Sequence, residues 1–196
     1  MANDPWPARK CPEPAKHLGQ IVDQFDAVLA DAADERPIQV FLANHPYLLA
    51  PLLPPGNGAW CFDRPRLGSE HIPDFLLCTH TSNGYQWVLV ELESPSTAIL
   101  TGKGLPAKKM NEALGQIRDW RGWLRLEIAY AQGTLGFKDL NVEAKAYIVI
   151  GRRDSLPRRH ARRYAELSTA ETAVMTYDRL SESIVRGRHL AGGDHE

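Results

Sequence analysis

The feature that most constrains this chain is the dipeptide Asn83-Gly84, set between two strand-like runs over residues 72–80 and 85–92. Both residues tolerate the positive φ of a type I′ turn, so the segment predicts an antiparallel hairpin with Asn83 and Gly84 as its turn residues. Counting outward from Ser82 opposite Tyr85 places Asp74 opposite Glu93 and Glu91 opposite Leu76. Side chains alternate between faces along a strand, so Asp74, Leu76, Glu91 and Glu93 share one face, and a loop longer by two residues preserves this. Directly opposed Cβ atoms in such a hairpin lie ~5 Å apart, and residues two apart on one strand about 6.6 Å apart.

Around the hairpin the periodicity alternates. Leu18, Ile21, Val22, Phe25, Val28 and Leu29 recur at helical spacing over residues 17–32, and Ile38, Phe41 and Leu42 line a second helix after Pro37 that ends or kinks at Pro46. A proline-rich loop over 51–58 leads into a short strand at 59–62. The longest helix is predicted over 106–132, with Met110, Leu114, Ile117, Leu124 and Ile128 on one stripe. A continuous apolar strand at 144–150 suits a sheet covered on both faces. A helix at 158–167, a strand at 172–176 and a helix at 177–190 complete the order. The fold class is therefore α/β, a mixed sheet of an antiparallel three-strand meander plus further strands, flanked by helices. The expected organisation is an irregular lead-in and helix over 1–35, one domain over 36–190 and a flexible tail over 191–196.

Composition bounds the functions. A 196-residue chain with 43% hydrophobic and 24% charged residues suits one globular domain. A net charge of -1 excludes nucleic-acid binding through the overall field, so any such contact is local. The three cysteines, Cys11, Cys61 and Cys78, have no C-x-x-C spacing and point to reduced thiols in a cytoplasm. The N-terminus has no apolar signal-like region, and the apolar stretch at 47–53 is interrupted by Pro51, so secretion and membrane insertion are not expected.

Three carboxylates on one hairpin face repel one another. A hard divalent cation offsets this through carboxylate oxygens and is suited to phosphate chemistry. The same pattern also suits the solvated face of an antiparallel sheet, and spacing alone leaves both readings open.

The segment Ile72-Pro73-Asp74-Phe75-Leu76-Leu77, followed by Val88-Leu89-Val90-Glu91-Leu92-Glu93-Ser94-Pro95, resembles the PD and (D/E)XK motifs of the restriction-endonuclease-like superfamily. The run 113–120, ALGQIRDW, with Trp123-Leu124 after it, resembles the following helix of Shedu anti-phage defence nucleases. Further matches are Phe41-Leu42, His45-Pro46 and Leu48-Leu49 upstream, and Met175-Thr176-Tyr177-Asp178 with Leu180 near the end, so the resemblance spans residues 36–182. It implies a restriction-endonuclease-like core, DNA cleavage in a bacterial cytoplasm, and a homo-oligomer. It also implies Mg²⁺ or Mn²⁺ held by Asp74 and Glu91, with Gln116 projecting from the long helix to position water or a phosphate. The family pattern has a lysine two residues after the acidic strand residue, and this chain has Glu93 there. Either Glu93 becomes a further ligand or general base, or a lysine from the next loop swings in, with Lys103, Lys108 and Lys109 nearest. The alternative is a catalytically degenerate member that binds DNA or protein partners. Glu35 and Glu70 remain open as further acids of the kind this superfamily sometimes supplies upstream.

Arg152, Arg153, Arg158, Arg159, Arg162 and Arg163, with His160, form a dense cationic run able to track a DNA backbone or to serve as a solvated helix face. Trp120 and Trp123 read as core or interface residues rather than base-stacking platforms.

Overall fold

The Val-, Leu- and Trp-rich runs that flank the turn form the middle of a five-stranded sheet. The computed structural model of the chain describes residue 11 and residues 18–191, with side chains up to residue 185. Apart from Cys11, the lead-in over 1–16 and the tail over 192–196 lie outside the described residues. The strands are β1 (Asn57–Asp63), β2 (Phe75–Thr81), β3 (Gly84–Leu92), β4 (Lys145–Val149) and β5 (Thr172–Met175), in that spatial order. β1, β2 and β3 pair antiparallel, whereas β3–β4 and β4–β5 pair parallel. The parallel steps need crossovers, supplied first by the long helix α3 (Lys108–Gly133) and then by a segment holding the short helix α4 (Ala161–Ala165).

Side-chain alternation sorts the sheet into two cores. Leu76, Trp87, Leu89, Ala146 and Ile148 pack against Met110, Ala113, Ile117, Trp120 and Leu124 of α3. Phe75, Leu77, Val88, Val90 and Val149 pack on the other face. Their partners are α1 (Leu18–Asp31), α2 (Arg36–Asn44), a 3-10 segment at Pro46–Leu52, and α5 (Tyr177–Ala191). Each fully buried Leu, Val or Phe contributes roughly 1.5–3 kcal/mol relative to exposure, so two-sided burial fixes which face each side chain of β2 and β3 takes.

The hairpin differs from the sequence expectation by two residues. Thr81 pairs with Gly84, which makes Ser82 and Asn83 the turn residues, and Leu76 pairs with Leu89 rather than Glu91. The cause is local. Thr81 Oγ1 accepts the Asn83 N–H at 3.1 Å and donates to the Gly84 carbonyl at 3.1 Å, which favours a turn without positive φ at Asn83. Gly84 alone takes the positive φ, 92°, where a Cβ would lie 2.6 Å from Asp139 Oδ2. A slip of two keeps every side chain on its face, so the carboxylates stay together.

Candidate active site

β3 is the central strand, and its carboxyl end runs between α3 on one face and α5 on the other. Glu91 and Glu93 lie there with relative exposures of 6% and 4%. One step beyond the last β2–β3 pair, Phe75 with Val90, the corrected register sets Asp74 beside Glu91 rather than beside Glu93. Asp74 Oδ2 accepts the Leu92 N–H at 2.9 Å, so the carboxylate continues the ladder past the end of β2. The other edge of β3 is held by the Glu93 N–H, which donates to the Val149 carbonyl at 2.9 Å.

α3 crosses above this end of the sheet. Gln116, half-buried on its third turn, hydrogen-bonds the Glu91 side chain. Lys109, in the first turn, places its ammonium 3.8 Å from Glu93 Oε2 and 3.1 Å from Glu112. From below, the fully buried Tyr177 donates its hydroxyl to the Glu93 carbonyl at 2.8 Å. The turn between α1 and α2 is drawn in as well, because the Ala33 carbonyl accepts the Ser94 and Ser96 hydroxyls at 3.1 and 3.2 Å. That turn carries Glu35, whose charge acts on Asp74, Glu91 and Glu93.

Burial sets the protonation of the group. Glu91 is pushed up to about 9, first by loss of solvent and then by the charges of Asp74 and Glu93, against the hydrogen bond from Gln116. Burial raises Asp74 to about 6, opposed by the Leu92 N–H and the Arg64 charge. Burial likewise raises Glu93 to about 7, opposed by Lys109. These are hard oxygen donors that repel one another, and a divalent cation would relieve that repulsion. Among the described residues no group of three or more His, Cys, Asp or Glu side chains is arranged to hold a metal ion. Asp74 and Glu91 are the two neighbouring carboxylates that such an ion would use, with water filling the other positions as is usual for Mg²⁺.

Other expected residues lie elsewhere. Lys103 is exposed on the loop before α3, and Lys108, also exposed, pairs with Glu112 at 3.6 Å, so of the three lysines it is Lys109 that reaches the carboxylates. Of the two upstream acids, Glu35 is among the charges that act on the site, whereas Glu70 is exposed. Four of the six arginines are engaged in ion pairs. Arg152 bonds Asp178 through Nε and Nη2 at 3.0 and 2.9 Å, Arg153 bonds Glu182, and Arg162 and Arg163 bond Glu166 at 3.1 and 3.3 Å. Arg158 and Arg159 form no ion pair among the described residues. They precede His160, whose Nε2 lies 3.2 Å from the Gly102 carbonyl, so this segment packs on the loop that leads into α3. Trp120 is buried in the core, as its place on the helix predicts. No helix among the described residues is long and apolar enough to cross a membrane.

No curated protein matches the chain. Residues 32–181 match the family model described as Shedu protein SduA, C-terminal.

Proposed function

The chain belongs to the Shedu protein SduA C-terminal family of anti-phage defence proteins, and on that premise we propose that it is a metal-dependent DNA endonuclease. The observation that carries the reading is the juxtaposition of half-buried Asp74 with buried Glu91 at the carboxyl end of β3, with Glu93 beside them. Asp74 and Glu91 hold Mg²⁺ or Mn²⁺. When bound, the ion supplies Lewis acidity and charge neutralisation for phosphodiester hydrolysis. The Leu92 N–H fixes Asp74, and Gln116 orients Glu91 and keeps amide capacity for water or a phosphate oxygen. Lys109 takes the part of the lysine that Glu93 displaces. Its ammonium is anchored by Glu93 and Glu112, from where it faces charge that builds on a phosphate. Glu93 thereby acts as a tether for that cation and as an acceptor for a proton at the site mouth. The substrate is double-stranded DNA of an invading phage, met in the cytoplasm by a homo-oligomer.

The test is incubation of purified protein with linear and circular DNA and Mg²⁺, for the wild type, Asp74→Ala and Glu91→Ala. Cleavage confined to the wild type is expected; equal activity in all three removes the reading.

A second reading follows from the carboxylate at position 93, which leaves no lysine on β3 itself. In that reading the chain is a catalytically degenerate member that binds DNA or protein. Glu93→Lys separates the two. An inert wild type that gains Mg²⁺-dependent cleavage on this change establishes degeneracy, and an active wild type excludes it.

A further inference from the structure

Along the edge of β1, at the turn whose Arg64 N–H bonds the Asp74 carbonyl, lies a cleft of about 690 Å³. One wall is apolar, formed by Pro46, Phe62, Leu135 and Phe137. The rim carries Arg64 and Arg66, both exposed and neither in an ion pair among the described residues. A single carboxylate lines it, Asp63, and that group is engaged by Gln39, whose amide donates to Oδ1.

Arg64 is also a backbone outlier. Its φ is 46°, in the left-handed region that costs an L-residue roughly 1–2 kcal/mol. It precedes Pro65, which biases its neighbour towards extended conformations instead. The turn is held by the Arg64 N–H, which donates 2.9 Å to the carbonyl of Asp74. The same peptide turn therefore joins the Arg64 guanidinium to the backbone of Asp74, and the Arg64 charge acts on the Asp74 carboxyl. Strain kept at such a place is a mark of a functional constraint rather than of folding alone.

We propose that this cleft is a nucleotide subsite of the DNA path. Backbone phosphates bond Arg64 and Arg66, and the sugar or base of the same strand lies against the apolar wall. The volume falls within the range of small-ligand clefts and suits a single nucleotide unit. This subsite rests on the nuclease reading, since it describes where the strand runs next to Asp74.

The experiment measures binding of a labelled DNA duplex in Ca²⁺, across a salt series, by wild type, Arg64→Gly, Arg64→Lys and Arg66→Ala, with cleavage in Mg²⁺ measured in parallel. Arg64→Gly is the informative change, because glycine accepts the positive φ and the turn is kept while the guanidinium is lost. Expected are a loss of about tenfold in affinity at low salt and a fall of about one in the logarithmic salt slope for Arg64→Gly and Arg66→Ala. Arg64→Lys should retain part of the affinity. Arg64→Gly and Arg66→Ala variants with the affinity and slope of a wild type that cuts DNA overturn the subsite and leave the nuclease reading intact. A wild type that neither binds nor cuts DNA overturns both. Deoxythymidine monophosphate is added as competitor: displacement of the duplex at millimolar concentration through Arg64, without any salt-slope change, would assign the cleft to a free nucleotide and overturn the strand proposal.

Discussion

Glu91→Gln isolates the electrostatic load of the site, because it removes one charge and keeps the shape. On folding, Glu91 is pushed up from 4.5 to about 9, chiefly by burial. The folded state therefore binds its proton more tightly than the unfolded chain. Stability from this group is present in full below pH ~4.5 and is lost as pH rises towards 9. At pH 8 the folded Glu91 still holds its proton while the unfolded carboxyl is ionised, and this difference costs about 5 kcal/mol, taking ~1.4 kcal/mol for each pH step above its ordinary value. At pH 5.5 the same arithmetic leaves about 1 kcal/mol.

In metal-free buffer Glu91→Gln should therefore melt above the wild type at pH 8, and the gap should shrink at pH 5.5. With ~2–4 °C per kcal/mol for a chain of this size, the pH 8 gap is at most about 10–20 °C, and side-chain relaxation reduces it. Mg²⁺ at one hundred times Kd should add about 2.7 kcal/mol of stability to the wild type at pH 8 and so raise its Tm, and should leave the variant unmoved. Differential scanning calorimetry at the two pH values, with EDTA or Mg²⁺, reads all four quantities. A gap that does not change with pH, or a variant that responds to Mg²⁺ as the wild type does, refutes the claim that Glu91 is a strained carboxylate awaiting a cation.

Tyr177→Phe removes the donor to the buried Glu93 carbonyl and should lower stability by about 1–3 kcal/mol; calorimetric titration with Mg²⁺ should show weaker binding as well. Gly84→Ala forces a Cβ to within 2.6 Å of Asp139 Oδ2 at φ 92°, and urea denaturation should show a loss of more than about 1 kcal/mol. Asp178→Ala removes the acceptor for Arg152 Nε, Arg152 Nη2 and the Arg153 N–H. It should lower Tm without weakening DNA binding, whereas a fall in affinity with no change in Tm would show that this end of the arginine run serves DNA.

The sheet and its two cores were legible because apolar residues at period two and period 3.6 leave few ways to bury them. The shared face of Asp74, Glu91 and Glu93 was legible for the same reason, since a slip of two residues does not alter it. The pairing itself was not, because the choice between Asn83-Gly84 and Ser82-Asn83 was made by the hydroxyl of Thr81, one residue outside the turn. Lys109 could be shortlisted but not chosen over Lys103 and Lys108, since its selection depends on where α3 begins and which way its first turn faces. Glu35 could not be separated from Glu70 until the Ser94 and Ser96 hydroxyls were seen to hold the α1–α2 turn against the end of β3. The left-handed Arg64 had no sequence signal at all, as arginine before proline predicts an extended residue.

The ion pairs of Arg152, Arg153, Arg162 and Arg163 bear on how such a chain meets DNA. A net charge of -1 gives no long-range attraction, and cations already neutralised by Asp178, Glu182 and Glu166 release few counterions when a phosphate approaches. The acidic site itself repels a phosphate until a cation is bound. On the proposed nuclease reading, affinity then comes from metal loading together with a small number of groups outside ion pairs among the described residues: Arg64 and Arg66 on one side, and Lys103, Arg158 and Arg159 around the loop before α3 on the other. Five such contacts set a ceiling of about -4 to -5 on the logarithmic salt slope. Binding governed by the whole arginine run would be steeper and independent of metal. Because neutralising the carboxylates and approach of the phosphate favour one another, DNA and the divalent ion should bind with positive coupling, each raising the affinity of the other by the same factor.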